Sequence, residues 1–274
     1  MVKARVKWPL LGIGLVGLAG LALAAAYWDP KFHAAPVPNT AASMVSPDRL
    51  EAAAQTRVFF GHRSVGTNVL DGLDEVYRTK GVAAPTVLEL DVNAPPEDLP
   101  EGGLMLHGRI GDNGNPRQKL ANFDTAMRAG VGDVVDVALL KFCYEDIKYT
   151  TDVDRLFADY RATLDTLERD YPQVRFLHAT APLTVGPDGV KDVIKVLVGR
   201  DHNTARQRYN ELLRAAYGPE RLFDLAAVEV TGPNGEVTAG LFPGYSSDGS
   251  HLNESGSARA AVALIDLLSL PRQG

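Results

Sequence analysis

Val134 to Phe142 constrains this chain more than any other stretch. Only Asp136 and Lys141 interrupt nine otherwise apolar residues rich in valine and leucine, a composition that favours an extended strand. A strand that is apolar on both sides cannot face water, so helices must cover both of its faces, as in the centre of a parallel sheet. The chain around it alternates accordingly. Arg57 to Phe60, Thr86 to Val92, Val174 to Thr180 and the short Leu222 to Leu225 read as further strands. Asp48 to Gln55, Val69 to Tyr77, Lys119 to Ala129, Asp152 to Tyr171, Asn203 to Tyr217 and Ala258 to Leu268 read as helices, several with apolar residues on one face. Strands alternating with helices predict a three-layer α/β/α sandwich with a five-stranded, mainly parallel sheet. Val185 to Asp201 fits neither template and is a candidate flap over the site.

The first residues are of another kind. Lys3, Arg5 and Lys7 precede an uncharged, mostly apolar run from Pro9 to Ala26 that closes on small residues. Such a run is either a cleaved secretory signal or an uncleaved single-pass anchor. Residues 1–27 are therefore expected to take the chain out of the cytoplasm, to a periplasmic or extracellular face. Residues 28–46, rich in proline and alanine, are expected to be a flexible linker, and residues 47–270 the catalytic domain. Without its three leading basic residues the chain has 25 basic against 34 acidic residues, a balance of −9. That charge argues against nucleic acid as a partner, and leaves the apolar leader as the contact with membrane. The single cysteine, Cys143, excludes an internal disulfide. It is read as a small buried apolar residue or a reactive thiol. No zinc-type spacing or phosphate-binding glycine loop is present, so neither metal nor organic cofactor is expected.

Chemistry collects at the carboxyl ends of the strands, where open α/β sheets bind ligands. The first strand runs into Gly61-His62-Arg63-Ser64-Val65-Gly66 and then a helix. Ser64 either caps that helix or presents a hydroxyl beside free amides that stabilise an oxyanion. His107 to Pro116 carries three glycines in ten residues, which reads as a loop and not as strand or helix. It is either plain surface or a nest of amides facing a ligand. The central strand ends in Cys143-Tyr144-Glu145-Asp146. Arg206, Tyr209 and Asn210 on a later helix either reach a ligand or pack. The last loop carries Asp248-Gly249-Ser250-His251, a spacing that lets a carboxylate hold one imidazole nitrogen while the other faces a hydroxyl.

Taken in order, these segments resemble the blocks of the SGNH hydrolases, the GDSL esterase and lipase family, whose sheet is flavodoxin-like. Phe60-Gly61-His62-Arg63-Ser64 is similar to its serine block, Gly108-Arg109-Ile110-Gly111-Asp112 to its glycine block, and Asp248 to Asn253 to its Asp-x-x-His block. The resemblance implies Ser64 as nucleophile, His251 as general base and Asp248 as its orienting partner. It also implies the amides of Ser64 and Gly111 as oxyanion donors. Two departures stand out: two residues, not one, separate Gly61 from Ser64, and Glu145 falls where the family supplies an asparagine. An ionised Glu145 repels an oxyanion and only its protonated form donates, so Asn113, Tyr144, His62 and Arg63 are candidate substitutes. His62, Arg63 and Tyr144 are the candidate substrate-binding residues. The implied activity is hydrolysis of an acyl ester, O-acetyl by analogy, on an acylated carbohydrate. The alternatives are an O-acyltransferase and a non-catalytic glycan-binding or assembly protein on the same fold, the latter motivated by Glu145.

Overall fold

A computed structural model describes residue 32, residues 34–187 and residues 190–271. The expected leader, residues 1–27, lies outside the described residues, as does most of the linker's first part. Among the described residues no helix is long and apolar enough to cross a membrane.

Helix α1 (Pro47–Ala54) leads into β1 (Arg57–His62), α2 (Val65–Lys80), β2 (Thr86–Glu89), β3 (Leu104–Arg109) and α3 (Pro116–Ala126). Then follow β4 (Val137–Leu140), α4 (Val153–Asp170), β5 (Arg175–Ala179), α5 (Val190–Leu197) and α6 (His202–Ala216). β6 (Leu222–Phe223), α7 (Leu225–Val230) and α8 (Glu254–Leu268) complete the domain. The helix starts follow local chemistry: the side chains of Ser46, Asn115, Asp152, Asp201 and Asn253 each accept an amide hydrogen from the first turn of α1, α3, α4, α6 and α8.

The strands form one sheet in the order β2-β3-β1-β4-β5-β6, every neighbouring pair parallel. The alternation of side chains splits the core in two. Val58, Phe60, Val137, Leu139 and Leu177 face α1, α2 and α8. Phe59, Leu104, Leu106, Ala138, Leu140 and Phe176 face α3, α4 and α6. β4 is buried at all four positions, as its continuous apolar run requires. The three-layer α/β/α sandwich is therefore the fold.

The sheet has six strands, not five. The strand missing from the sequence reading is β3, because its end was read as part of the glycine-rich loop. Gly108 belongs to the strand and is there for space. A Cβ on it would stand 2.4 Å from the side chain of Val92 and cannot fit. The linker reading also needs correction from Val37 onward. The Val37 amide donates to Gly244 O, Ser255 Oγ donates to Pro38 O, and Ala41 and Val45 are buried in the core beside α8. Apolar residues at 37, 41 and 45 make this stretch a strap on the domain. The segment 185–201 holds a helix, α5, at its centre.

Candidate active site

β1 and β3 are in register through His62 and Arg109, and β1 and β4 through Gly61 and Leu140. Their carboxyl ends thus bring together Ser64, Gly111 and Cys143. Ser64 lies between β1 and α2 with φ 42° and ψ −97°, a backbone region that a residue with a Cβ rarely occupies and that costs about 1–3 kcal/mol. It makes no side-chain cap bond to α2. Its hydroxyl points elsewhere: Ser64 Oγ is 3.0 Å from His251 Nε2.

On its other side the His251 ring meets Asp248, with Nδ1 2.7 Å from Oδ2. Asp248 Oδ1 accepts from the His251 amide (2.7 Å), the Ser250 amide (2.8 Å) and the Ser250 hydroxyl (3.0 Å). Burial pushes the Asp248 carboxyl upward, but hydrogen bonds from the His251 side chain and amide and from Ser250 outweigh it. They hold Asp248 well below the usual carboxylate range. The result is an ionised acid fixing one nitrogen of an imidazole whose other nitrogen touches a hydroxyl. Ser64 and His251 are half-buried, so the dyad is open to an incoming molecule.

The amides of Ser64 and Gly111 have no acceptor among the described residues. Arg63 clasps the two loops together: its Nε donates to Gly111 O (2.7 Å), and its guanidinium lies 3.6 Å from Asp112 Oδ1. Asn113 is exposed, and its side-chain oxygen accepts from Lys119 Nζ at 3.1 Å. Its amide nitrogen is thereby left as the donor end. Cys143 is fully buried, with Sγ 3.9 Å from Ser64 Oγ.

Two sequence expectations fail here. Glu145 is exposed and is not the acid that turns inward. That acid is Asp146. The short turn Tyr144–Asp146 directs Asp146 into the protein, where it accepts from Lys119 Nζ (2.6 Å), the Cys143 amide (2.6 Å) and the Gly114 amide (2.8 Å). The Lys119 and Asp146 side chains are both wholly buried. The ion pair thus ties α3 to the loop after β4, and the Gly114 bond brings in the loop after β3. Sequence reasoning missed it because Lys119 opens an apolar helical stripe and looks solvated.

His62 is the second failure, since it is buried and does not face a ligand. β1 continues through it, so His62, one of the two residues between Gly61 and Ser64, is a strand residue whose ring tucks beneath the first turn of α2. Gly66 makes the room, because a Cβ there would stand 2.4 Å from the His62 side chain. Burial, with the nearby charge of Lys141, lowers the His62 pKa to about 2. The ring is neutral, with Nε2 3.2 Å from His107 Nδ1.

Tyr144 does lie at the site. Its ring meets His251 edge-on, 5.6 Å between centroids at 78°. Arg206 supports Tyr144 from behind, donating from Nε to its carbonyl (2.8 Å) and holding its guanidinium 5.6 Å from the ring centre. Arg206, Tyr209 and Asn210 are all buried, so the packing alternative holds for this helix. Asn210 bonds both the amide and the carbonyl of Ala181. Among the described residues no group of three or more His, Cys, Asp or Glu side chains is placed to hold a metal ion.

Glu229 lies in the protein beneath this edge. One of its oxygens accepts from the Leu183 amide at 2.6 Å, and the other has no partner among the described residues. Burial raises its pKa to about 8, against that amide bond and the charges of Lys141 and Arg206. Unfolded, the group loses its proton near 4.5. Between those values the folded state binds the extra proton, so this residue lowers stability as pH rises through the window, by at most about 1.4 kcal/mol per pH unit. Glu229→Gln is expected to remove that slope. Urea midpoints of variant and parent should diverge in the variant's favour between about pH 5 and about pH 8.

No protein-family model matches the chain, and no curated protein does. Solved structures do. One is described as a platelet activating factor from Streptococcus pneumonia, with 16% identity, 94% of this chain and 99% of that chain covered, and a TM-score of 0.47. Another is a lipolytic protein of the G-D-S-L family from Desulfitobacterium hafniense DCB-2, with 11% identity, coverage of 77% and 99%, and a TM-score of 0.44. A third is a peptidoglycan O-acetylesterase, with 13% identity and a TM-score of 0.39, where 60% of this chain matches 46% of that one.

Proposed function

We propose that this chain is an exported serine hydrolase that cleaves short acyl esters, O-acetyl groups on a polysaccharide in particular. The observation that carries the reading is the continuous contact from Ser64 Oγ through His251 to an Asp248 held ionised by four hydrogen bonds. A serine serving only as a helix cap needs neither that alignment nor a backbone at φ 42°.

In the proposed reaction Ser64 Oγ attacks the acyl carbon while His251 Nε2 takes its proton. Asp248 stabilises the imidazolium and keeps the ring oriented. The free amides of Ser64 and Gly111 receive the oxyanion, and the donor end of Asn113 is the candidate third group. As the carbon–oxygen bond of the ester breaks, His251 returns the proton to the departing alcohol oxygen. Water then repeats the sequence on the acyl-serine, yielding the free acid and Ser64.

The polar rim of Arg63, Asp112, Asn113 and Ser250, together with the half-exposed serine, supports a short acyl group on a hydrophilic carrier. A long chain would need an apolar trough beside Ser64. The likeness of the sequence blocks to SGNH hydrolases supports the same chemistry. Glu145 is exposed, which removes the repulsion argument for the glycan-binding alternative but supplies no donor in place of the asparagine. The test is to compare acetyl and palmitoyl esters of one chromogenic alcohol, then to measure acetate released from O-acetylated polysaccharides. The expected result is a kcat/KM at least tenfold higher for acetyl, with acetate release. A preference for palmitoyl would overturn the substrate class. A folded protein that hydrolyses neither would overturn the hydrolase reading, and acetate appearing on an added sugar would favour the transferase.

A further inference from the structure

Helix α5 does not match the rest of the surface. Val193, Ile194, Val196, Leu197 and Val198 are 47%, 50%, 43%, 79% and 59% exposed. Five apolar side chains within six positions are a contiguous patch of the kind that marks an interaction site. In sequence the patch is punctuated by Lys191, Lys195 and Arg200, the pattern of a helix that lies in a bilayer interface.

The position of the helix root says what covers it. Val185, on the approach to α5, donates its amide to Gly249 O (2.8 Å), in the loop that carries Asp248 and His251. Phe32 packs on the same glycine, where a Cβ would stand 3.4 Å from its ring. Phe32 and Ala34 also share with Val185, Gly186 and Pro187 a cavity of about 500 Å³. The described chain therefore begins beside the root of α5, at the edge of the sheet that carries Ser64. The apolar run that ends at Ala26 is six residues before Phe32. Six residues reach at most about 20 Å. A bilayer that takes up the run lies within that distance of Phe32, which sits beside the root of α5.

We propose that α5 lies in the surface of the lipid bilayer entered by the run Pro9 to Ala26, so that the Ser64 edge of the sheet faces the membrane. The proposal rests on the membrane reading of that run and is independent of the reaction at Ser64. The contact is apolar, because the acidic balance of the domain repels anionic headgroups.

The test uses the full chain in phosphatidylcholine nanodiscs, with an environment-sensitive fluorophore on Leu197→Cys. Glu101→Cys, before β3 at the opposite edge, is the control, and the native Cys143 is buried. The expected result is blue-shifted emission at position 197 and quenching by doxyl-labelled lipid several-fold stronger than at position 101. Adding Val193→Asp and Ile194→Asp should abolish that quenching while the chain stays nanodisc-bound. A label at 197 that aqueous iodide quenches and doxyl lipid does not would overturn the proposal. A label shielded from both would also overturn it, placing protein on the patch, either a second copy or the leader itself. Failure of the full chain to enter nanodiscs removes the premise and overturns it as well.

Discussion

Ser64→Ala is expected to lower kcat for acetyl ester hydrolysis on the order of 10⁶-fold, while the folded protein keeps its stability within about 1 kcal/mol. The variant loses the attacking oxygen but keeps the Ser64 and Gly111 amides, so the activity left is what positioning and oxyanion binding supply. His251→Ala should fall about as far, since the two act as one unit and their losses do not add. Asp248→Asn should cost on the order of 10⁴, by allowing the wrong imidazole tautomer. The backbone adds a separate signature. At φ 42° glycine is unstrained and serine is not, so Ser64→Gly should be inactive yet more stable than the parent by about 1 kcal/mol. A serine retained only for structure would show the reverse. Steady-state kinetics and urea unfolding on the parent and these four variants decide the matter.

The second large effect concerns the wholly buried Lys119 and Asp146 pair. Lys119→Met should destabilise the domain by about 3–5 kcal/mol, because it leaves a carboxylate buried without its counter-charge. Adding Asp146→Leu should recover only part of this. The double variant removes the stranded charge but orphans the amides of Cys143 and Gly114, at about 1–3 kcal/mol each. A double-mutant cycle in urea measures the coupling. Full recovery in the double variant would mean that the pair's bonds to the two loops contribute nothing. Lys119→Met should also free the Asn113 side chain, so activity should drop in the fraction that remains folded.

Much of the architecture was legible because it rests on patterns that tolerate no alternative. The apolar run before Phe142 had to be central, and alternating strands and helices left few topologies open. The pairing of Asp248 with His251 needs only one loop, so the Asp-x-x-His spacing nearly dictates it. Ser64 reaches that pair through the topology, since β1 is central and α8 returns beside α2.

What was not legible depends on contacts distant in sequence. Gly108 reads as loop until Val92 is known to pass over it, and so β3 went unseen. His62 reads as a ligand-facing polar residue until β1 is seen to run two residues further, to His62 itself, and Gly66 is seen to clear space for its ring. Glu145 and Asp146 are adjacent acids, and sequence does not say which turns inward. The inward one is set by Lys119, 27 positions earlier. The strap at Val37 to Val45 sets its apolar residues at 37, 41 and 45 among residues of mixed polarity, and its burial comes from the α8 surface it covers.

The claim at the centre of this account is that Ser64 is an activated nucleophile, and covalent labelling tests it most directly. The protein should be incubated with a fluorophosphonate and the modified peptide identified by mass spectrometry. The account predicts one adduct, on Ser64, that disappears in Ser64→Ala and in His251→Ala while both variants stay folded. A folded parent protein that takes up no label, or one that carries it on another residue, would contradict it.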